Sequence, residues 1–178
     1  MTRRAIICDV IRQLLPSGAA ACHALRLRGL RAYPQAFNSS FEQESDKPLE
    51  SSAQRLAPDG GRPHDFFPGA FVGTDLCGMV GLQGRYRPKE RHNASVVGMF
   101  VAPEVAGRGV GKALLQELIA RARILPELVQ LDPTVTAGNG PAQTLYANPG
   151  FVEVGRLQRA IRVGNAYFAK VHMALQLR

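Results

Sequence analysis

A chain of 178 residues with 46% apolar content is long enough to bury one sizeable core and too short to need a second domain. Its three cysteines, Cys8, Cys22 and Cys77, are odd in number, with neither CxxC spacing nor a nearby histidine pair; this argues against a disulfide framework and a structural zinc, and each reads as a small apolar residue. The net charge of +8 favours an anionic partner, but the cations are mostly arginines scattered over both halves without a basic run interleaved with aromatics, so specific nucleic-acid binding is not expected.

At the N-terminus Arg3 and Arg4 precede Ala5, Ile6, Ile7 and Cys8, but Asp9 and Arg12 interrupt before a signal-length apolar stretch forms. No other run approaches the ~20 apolar residues of a membrane span, so a cytoplasmic protein without membrane association is expected. Residues 5–14 read as a first strand, although so short a run is equally compatible with a helix. Ser17 is the expected N-cap of a helix running to about Leu30, with Gly29 near its end. From Tyr33 to Phe67 the pattern dissolves into Ser, Pro, Gly and acidic residues, with one short helix between Pro48 and Leu56; substrate contact is expected from this segment. Its Glu42, Glu44, Asp46 and Glu50 form an acidic run that could attract a cationic amine or simply be a solvated surface. Residues 70–72, 76–84 and 93–101 then alternate strand runs with turns, as in an antiparallel meander. A helix over 107–124, a strand over 128–135, a helix over 139–148 and two terminal strands over 152–160 and 167–177 complete the chain. Pro133 within the fifth strand would ordinarily mark an edge or an irregular strand.

The most informative segment joins the 93–101 strand to the following helix. Val101 is followed by Ala102, Pro103, Glu104, Val105, Ala106, Gly107, Arg108, Gly109, Val110, Gly111 and Lys112, a glycine-rich turn opening an amphipathic helix with Val110, Leu114 and Leu118 on one stripe. The first-turn N–H groups of such a helix have no intrahelical partner and its dipole favours negative charge, which makes a phosphate site. Glycines at 109 and 111 allow close backbone approach, and Arg108 and Lys112 add positive charge. A Walker A loop is excluded because Ala106 stands at its first glycine and Ala113 at its hydroxyl. The dinucleotide GxGxxG pattern fails because Lys112 or Leu114 occupies its third glycine.

The segment resembles the acetyl-CoA pyrophosphate loop of the GNAT superfamily of N-acetyltransferases, matching from Val101 to Gly109 and Gly111 and departing at Ala106, where the family has Arg or Gln. A second stretch, Leu131 to Asn139 followed by Ala142, Leu145, Tyr146, Gly150 and Phe151, resembles the family's later strand, Asn, Tyr-bearing helix and Gly-Phe. Asn148-Pro149 is unusual there and is expected to shorten the helix, since the residue before proline avoids the α region. The likeness covers residues 76–177 well and the first half more loosely, through Ile11 to Leu14 and Tyr33 to Phe37. It implies a single GNAT-like domain over residues 1–178. The implied fold is α/β, with one mixed, largely antiparallel sheet, flanking helices and two splayed central parallel strands.

By the same resemblance, acetyl-CoA is the co-substrate, no metal is used, and the acetyl group passes directly to an amine in a ternary complex. The loop from Ala106 through Gly107, Arg108, Gly109, Val110 and Gly111 to Lys112 would hold the pyrophosphate, and the backbone of Met99, Phe100 and Val101 would flank the pantetheine. An N–H around Phe100 would stabilise the oxyanion. Tyr146 is the implied proton donor to the departing thiolate, its alternative being an aromatic packed on the sheet. Asn139 would hold pantetheine or an ordered water, cap the helix, or do both. No base is evident: Glu90 and His92 flank Arg91 in what reads as a solvated turn, and His23, His64 and His172 lack motif context, so a water chain could serve. The acceptor is a small-molecule or peptide amine. A homodimer through the terminal strands, common in the family, has no support in the residues. The competing reading is a non-catalytic acyl-CoA-binding regulatory module, which turnover would separate from an enzyme.

Overall fold

The computed structural model describes residues 8–178, so Ala5 to Ile7 of the expected first strand lie outside the described residues. Seven strands form one sheet in the order β1-β2-β3-β4-β5-β7-β6: β1 Val10–Gln13, β2 Pro68–Val72, β3 Asp75–Gly84, β4 Asn93–Val101, β5 Gln130–Thr136, β6 Val152–Val163 and β7 Ala166–Gln176. Among the described residues only β4 and β5 pair in parallel; every other pairing is antiparallel. The helices are α1 Ala19–Ala32, α2 Phe41–Ser45, α3 Leu49–Leu56, α4 Val110–Arg123 and α5 Gly140–Ala147. The expected mixed α/β architecture is therefore observed.

The two faces of the sheet are separated by the strand period of two. On β3, Gly78 leaves room for Leu114 and Val110 of α4, since a Cβ there would lie 3.0 Å from Leu114. Its neighbour Met79 points the other way and meets Cys22 of α1 at 3.7 Å. Gly29 of α1 sits flat on the Phe100 ring, where a Cβ would lie 3.0 Å from Cγ. Thus α1 covers one face and α4 the other. The α4 stripe read from the sequence is the buried one: Leu114, Leu115 and Leu118 are at most 1% exposed. Arg178 closes the far end of α4, donating to the carbonyls of Arg123, Leu125 and Leu128.

Three local expectations are corrected. Ser17 does not cap α1; Pro16 starts a tight 3-10 turn over Pro16–Gly18 that absorbs it, and Gly18 precedes the helix without a side-chain cap. The segment after Tyr33 is more ordered than its composition suggests: Pro34–Ala36 makes a 3-10 turn, and α2 is started by a reciprocal Ser40–Gln43 capping box. Asn148 takes α dihedrals despite preceding Pro149, with its N–H on Thr144. The helix still stops at Ala147, and Gly150, at φ +108, turns the chain into β6.

Candidate active site

The parallel ladder between β4 and β5 runs only from Asn93–Gln130 to Val96–Pro133. Below the opening it is locked by Asp132, which accepts from Ser95 Oγ and from Arg85 Nη2, both at 2.6 Å. Above it, two features part the strands. Pro133 has no N–H to offer a ladder, and Gly98, at φ +63, makes a bulge where β4 spends an extra residue against β3 between Val97–Gly81 and Phe100–Met79. Pro133 is thus on an interior strand, placed where pairing ends.

The gap forms a cleft of about 400 Å³. Val96 to Met99 make one wall and Thr134 and Val135 the other, with Asn139 and Tyr146 from α5, Lys170 from β7 and residues 36–39 closing the remainder. The last segment is held in place by two bonds from the sheet, Thr136 Oγ1 to Gln35 O at 2.7 Å and Lys170 Nζ to Ala36 O at 3.1 Å. Burial pushes the Lys170 ammonium below its ordinary pKa.

Past the end of β4 the chain makes a 3-10 turn over Pro103–Val105, then the glycine-rich turn. Gly107 and Gly109 are left-handed, at φ +72 and +80, and a Cβ on either would meet nothing within 4 Å, so the backbone there is bare to solvent. Gly109 precedes α4 without any side-chain cap, no acidic residue lies in the first turn, and the first helical bond is Ala113 N–H to Gly109 O at 2.9 Å. The N–H groups of Val110, Gly111 and Lys112 therefore lack partners within the helix. This geometry and charge fit a phosphate-bearing ligand. Gly111 differs: a Cβ there would meet Leu145 at 3.4 Å, an ordinary packing contact, so its place in α4 does not itself demand glycine. Ala106, Arg108 and Lys112 are exposed around the turn.

Tyr146 is 5% exposed, lines the cleft and meets Phe151 edge to face at 5.5 Å. Burial raises its pKa well above the usual tyrosine value, so its hydroxyl keeps its proton at neutral pH. Asn139 both caps α5, accepting from Ala142 N–H at 3.2 Å, and lines the cleft. Phe100 lies differently from Met99: its ring is core, packed on Gly29 and 6.3 Å from Tyr33. Ala102 N–H donates to Cys77 O, so ladder alternation directs Phe100 N–H toward β3 and Val101 N–H away from it. The cleft wall is the bulge, Gly98 and Met99. Sequence alone does not single out Gly98, although a lone glycine in a β-branched run is the usual mark of a bulge.

Glu90 and His92 lie in the turn before β4, at the paired end, with His92 exposed and bonded to its neighbour Asn93. At about 3.3 Å per residue they are well over 10 Å along the strand from the bulge. His23 bonds Ser52 at 3.2 Å, His64 is buried beside Tyr86, and His172 is exposed. None of the three lines the cleft.

The acidic run behaves in two ways. Glu42 and Asp46 are exposed, whereas Glu44 is buried and accepts from Arg26 Nε at 2.8 Å and Lys47 Nζ at 2.6 Å. Burial alone would raise its carboxyl; the two bonds and charges outweigh it and hold the pKa at about 2. Among the described residues, no group of three or more His, Cys, Asp or Glu side chains could hold a metal, and no helix is long and apolar enough to cross a membrane.

Residues 30–151 match the model of the Acetyltransferase (GNAT) family. The chain is 38% identical over 106 residues to the N-alpha-acetyltransferase RimI of Mycobacterium tuberculosis, covering 58% of this chain and 63% of that protein. It is 34% identical over 74 residues to a phosphinothricin N-acetyltransferase from Alcaligenes faecalis, covering 41% of this chain and 38% of that one. The chain thus spans less than two thirds of either relative. Among solved structures it resembles yncA from Salmonella typhimurium, determined with its cofactor acetyl-CoA, with a TM-score of 0.77 and 16% identity over 95% of this chain and 94% of that one.

Proposed function

The chain belongs to the GNAT family of acetyltransferases, and from that premise we propose that it moves the acetyl group of acetyl-CoA to an amine by direct attack within a ternary complex. The observation that carries this reading is the continuity of two features along β4: a glycine-rich turn past its end, where α4 starts uncapped, and an opened cleft at its bulge. A pyrophosphate seated on Val110, Gly111 and Lys112 N–H groups leaves the uncharged pantetheine arm to run back along β4 toward Gly98. Acetyl-CoA supplies an activated thioester; the rest is done by the protein. In this reading the backbone amides of the Gly98–Met99 bulge, displaced from the regular ladder, donate to the thioester carbonyl in preference to the Phe100 N–H that faces β3. Tyr146, protonated and lining the cleft, donates its Oη proton to the thiolate as it leaves. Asn139 Oδ1 is engaged in the cap of α5, which leaves its amide NH2 for pantetheine or a water. With Glu90 and His92 remote, the amine loses its proton to water. The reaction is placed in the cytoplasm, where the free thiols of Cys8, Cys22 and Cys77 stay reduced. A homodimer over β6 draws on the exposed apolar side chains Val152, Val154 and Leu157, at 60%, 63% and 57%.

The test is thiol release from acetyl-CoA across a panel of primary amines, with the acetylated product identified by mass. Turnover that falls on the order of a hundredfold in Tyr146→Phe supports the reading. Tight acetyl-CoA binding without transfer to any amine would favour the non-catalytic acyl-CoA-binding module instead.

A further inference from the structure

A second, smaller recess of about 90 Å³ opens beside the cleft and shares Arg26, Arg55, Val97 and Gly98 with it. Its size suits a few atoms, a water's share of liquid volume being about 30 Å³. The charge around the two spaces does not balance. Arg26, Lys47, Arg55 and Lys170 line them against a single carboxylate, Glu44, and that carboxylate is already shared by Arg26 and Lys47. Lys170 is held by the Ala36 carbonyl. Asp65 lies near enough for Arg55 to feel its charge, but it accepts from Gly84 N–H and Tyr86 Oη.

Among the described residues, Arg55 is left without an acceptor. Its Nε is buried and makes no hydrogen bond, and its guanidinium only overlies the Phe67 ring at 4.9 Å. Arg55 as a whole is half-buried, but a guanidinium whose buried Nε has no acceptor is costly to the fold unless a ligand completes its hydrogen bonding. Arg26 points the same way. Its Nε and Nη2 are fixed by Glu44 and Ser39, while Nη1 overlies the bulge, 3.9 Å from where a Cβ on Gly98 would sit. The Arg26 charge also acts on Arg55 and, after burial, depresses its pKa, so an anion between the two would relieve both.

We infer that the acceptor is a compact amine that also carries a carboxylate, and that this carboxylate seats between Arg55 and Arg26 in the recess beside Gly98. The inference rests on the acetyl-transfer reading and narrows its substrate class. The donors lie next to the bulge where the amine must arrive, so only a few bonds separate the amine from the acid. A carboxylate accepts two guanidinium donors at once, whereas a polyamine or a plain alkylamine leaves Arg55 unmet and adds charge to a cationic wall.

The test compares matched acceptors on the intact chain: each L-amino acid against its α-carboxamide, and β-alanine against propylamine, with acetyl-CoA binding measured on the same preparation. The acid of a preferred pair is expected to exceed its neutral partner ten- to a hundredfold in kcat/KM, mainly through KM. Arg55→Gln should bring that ratio toward one, and Arg55→Lys, which keeps the charge, should restore part of it. Neutral partners used equally well, a ratio unmoved by Arg55→Gln, or no transfer to any acid while acetyl-CoA binds would each overturn the inference. Failure to bind acetyl-CoA would instead overturn the acetyl-transfer reading beneath it.

Discussion

At the scale of single residues, Tyr146 and Glu44 show how burial changes the meaning of a side chain. Burial holds the Tyr146 proton beyond the usual range near pH 10, so no alkaline loss of kcat below that pH should trace to this hydroxyl, and a pH profile of Tyr146→Phe against wild type measures it. Glu44 titrates at about 2 in the fold against 4.5 unperturbed. Because its folded value is depressed, its stabilisation is complete above pH 4.5 and lost as pH falls toward 2. Glu44→Gln should therefore flatten the fall in denaturation midpoint across that window, while a slope identical to wild type would remove Glu44 from the acid response. Tyr146 could be picked from the sequence because Asn139 and Gly150-Phe151 frame it. Arg26 and Arg55 could not, being two among many scattered arginines whose meaning comes only from Glu44 serving one of them and not the other.

Elements place these residues, and the decisive one is the parting of β4 from β5. Asp132 ties the paired end to Ser95 and Arg85, and Pro133 and Gly98 release the strands immediately beyond. Asp132→Ala should lower stability by about 1–3 kcal/mol in chemical denaturation, since it leaves Ser95 and Arg85 without their acceptor. Leu118→Ala on the fully buried face of α4 should cost about 2–5 kcal/mol by the same measurement. The period of α4 and the alternation of β3 and β4 were readable from spacing alone, because packing there agrees with local pattern. The 34–45 region was not, since its order comes from distant partners: Thr136 and Lys170 fasten the Pro34–Ala36 turn, and Arg26 fastens α2 through Glu44. The bulge was equally hidden, because its register is set jointly by two strands.

For the molecule as a whole, one sheet with helices on both faces sets the cleft at the β4 bulge and the glycine-rich turn past the end of β4 along one strand, the arrangement on which the proposed acetyl-CoA site rests. A net charge of +8 should make association with the anionic co-substrate weaken as ionic strength rises, which titration at two salt concentrations would show. The glycine-rich turn was legible because its chemistry is backbone chemistry, dictated by glycine spacing and a helix start. The most direct test is calorimetric titration of acetyl-CoA into wild type and Gly109→Glu, with folding of both checked by circular dichroism. The change places a carboxylate and a strained left-handed residue at the start of α4. Saturable binding by the wild type, reduced at least tenfold in the folded variant, is the expected result; equal binding by the two, or none by the wild type, would contradict the placement of acetyl-CoA on this turn.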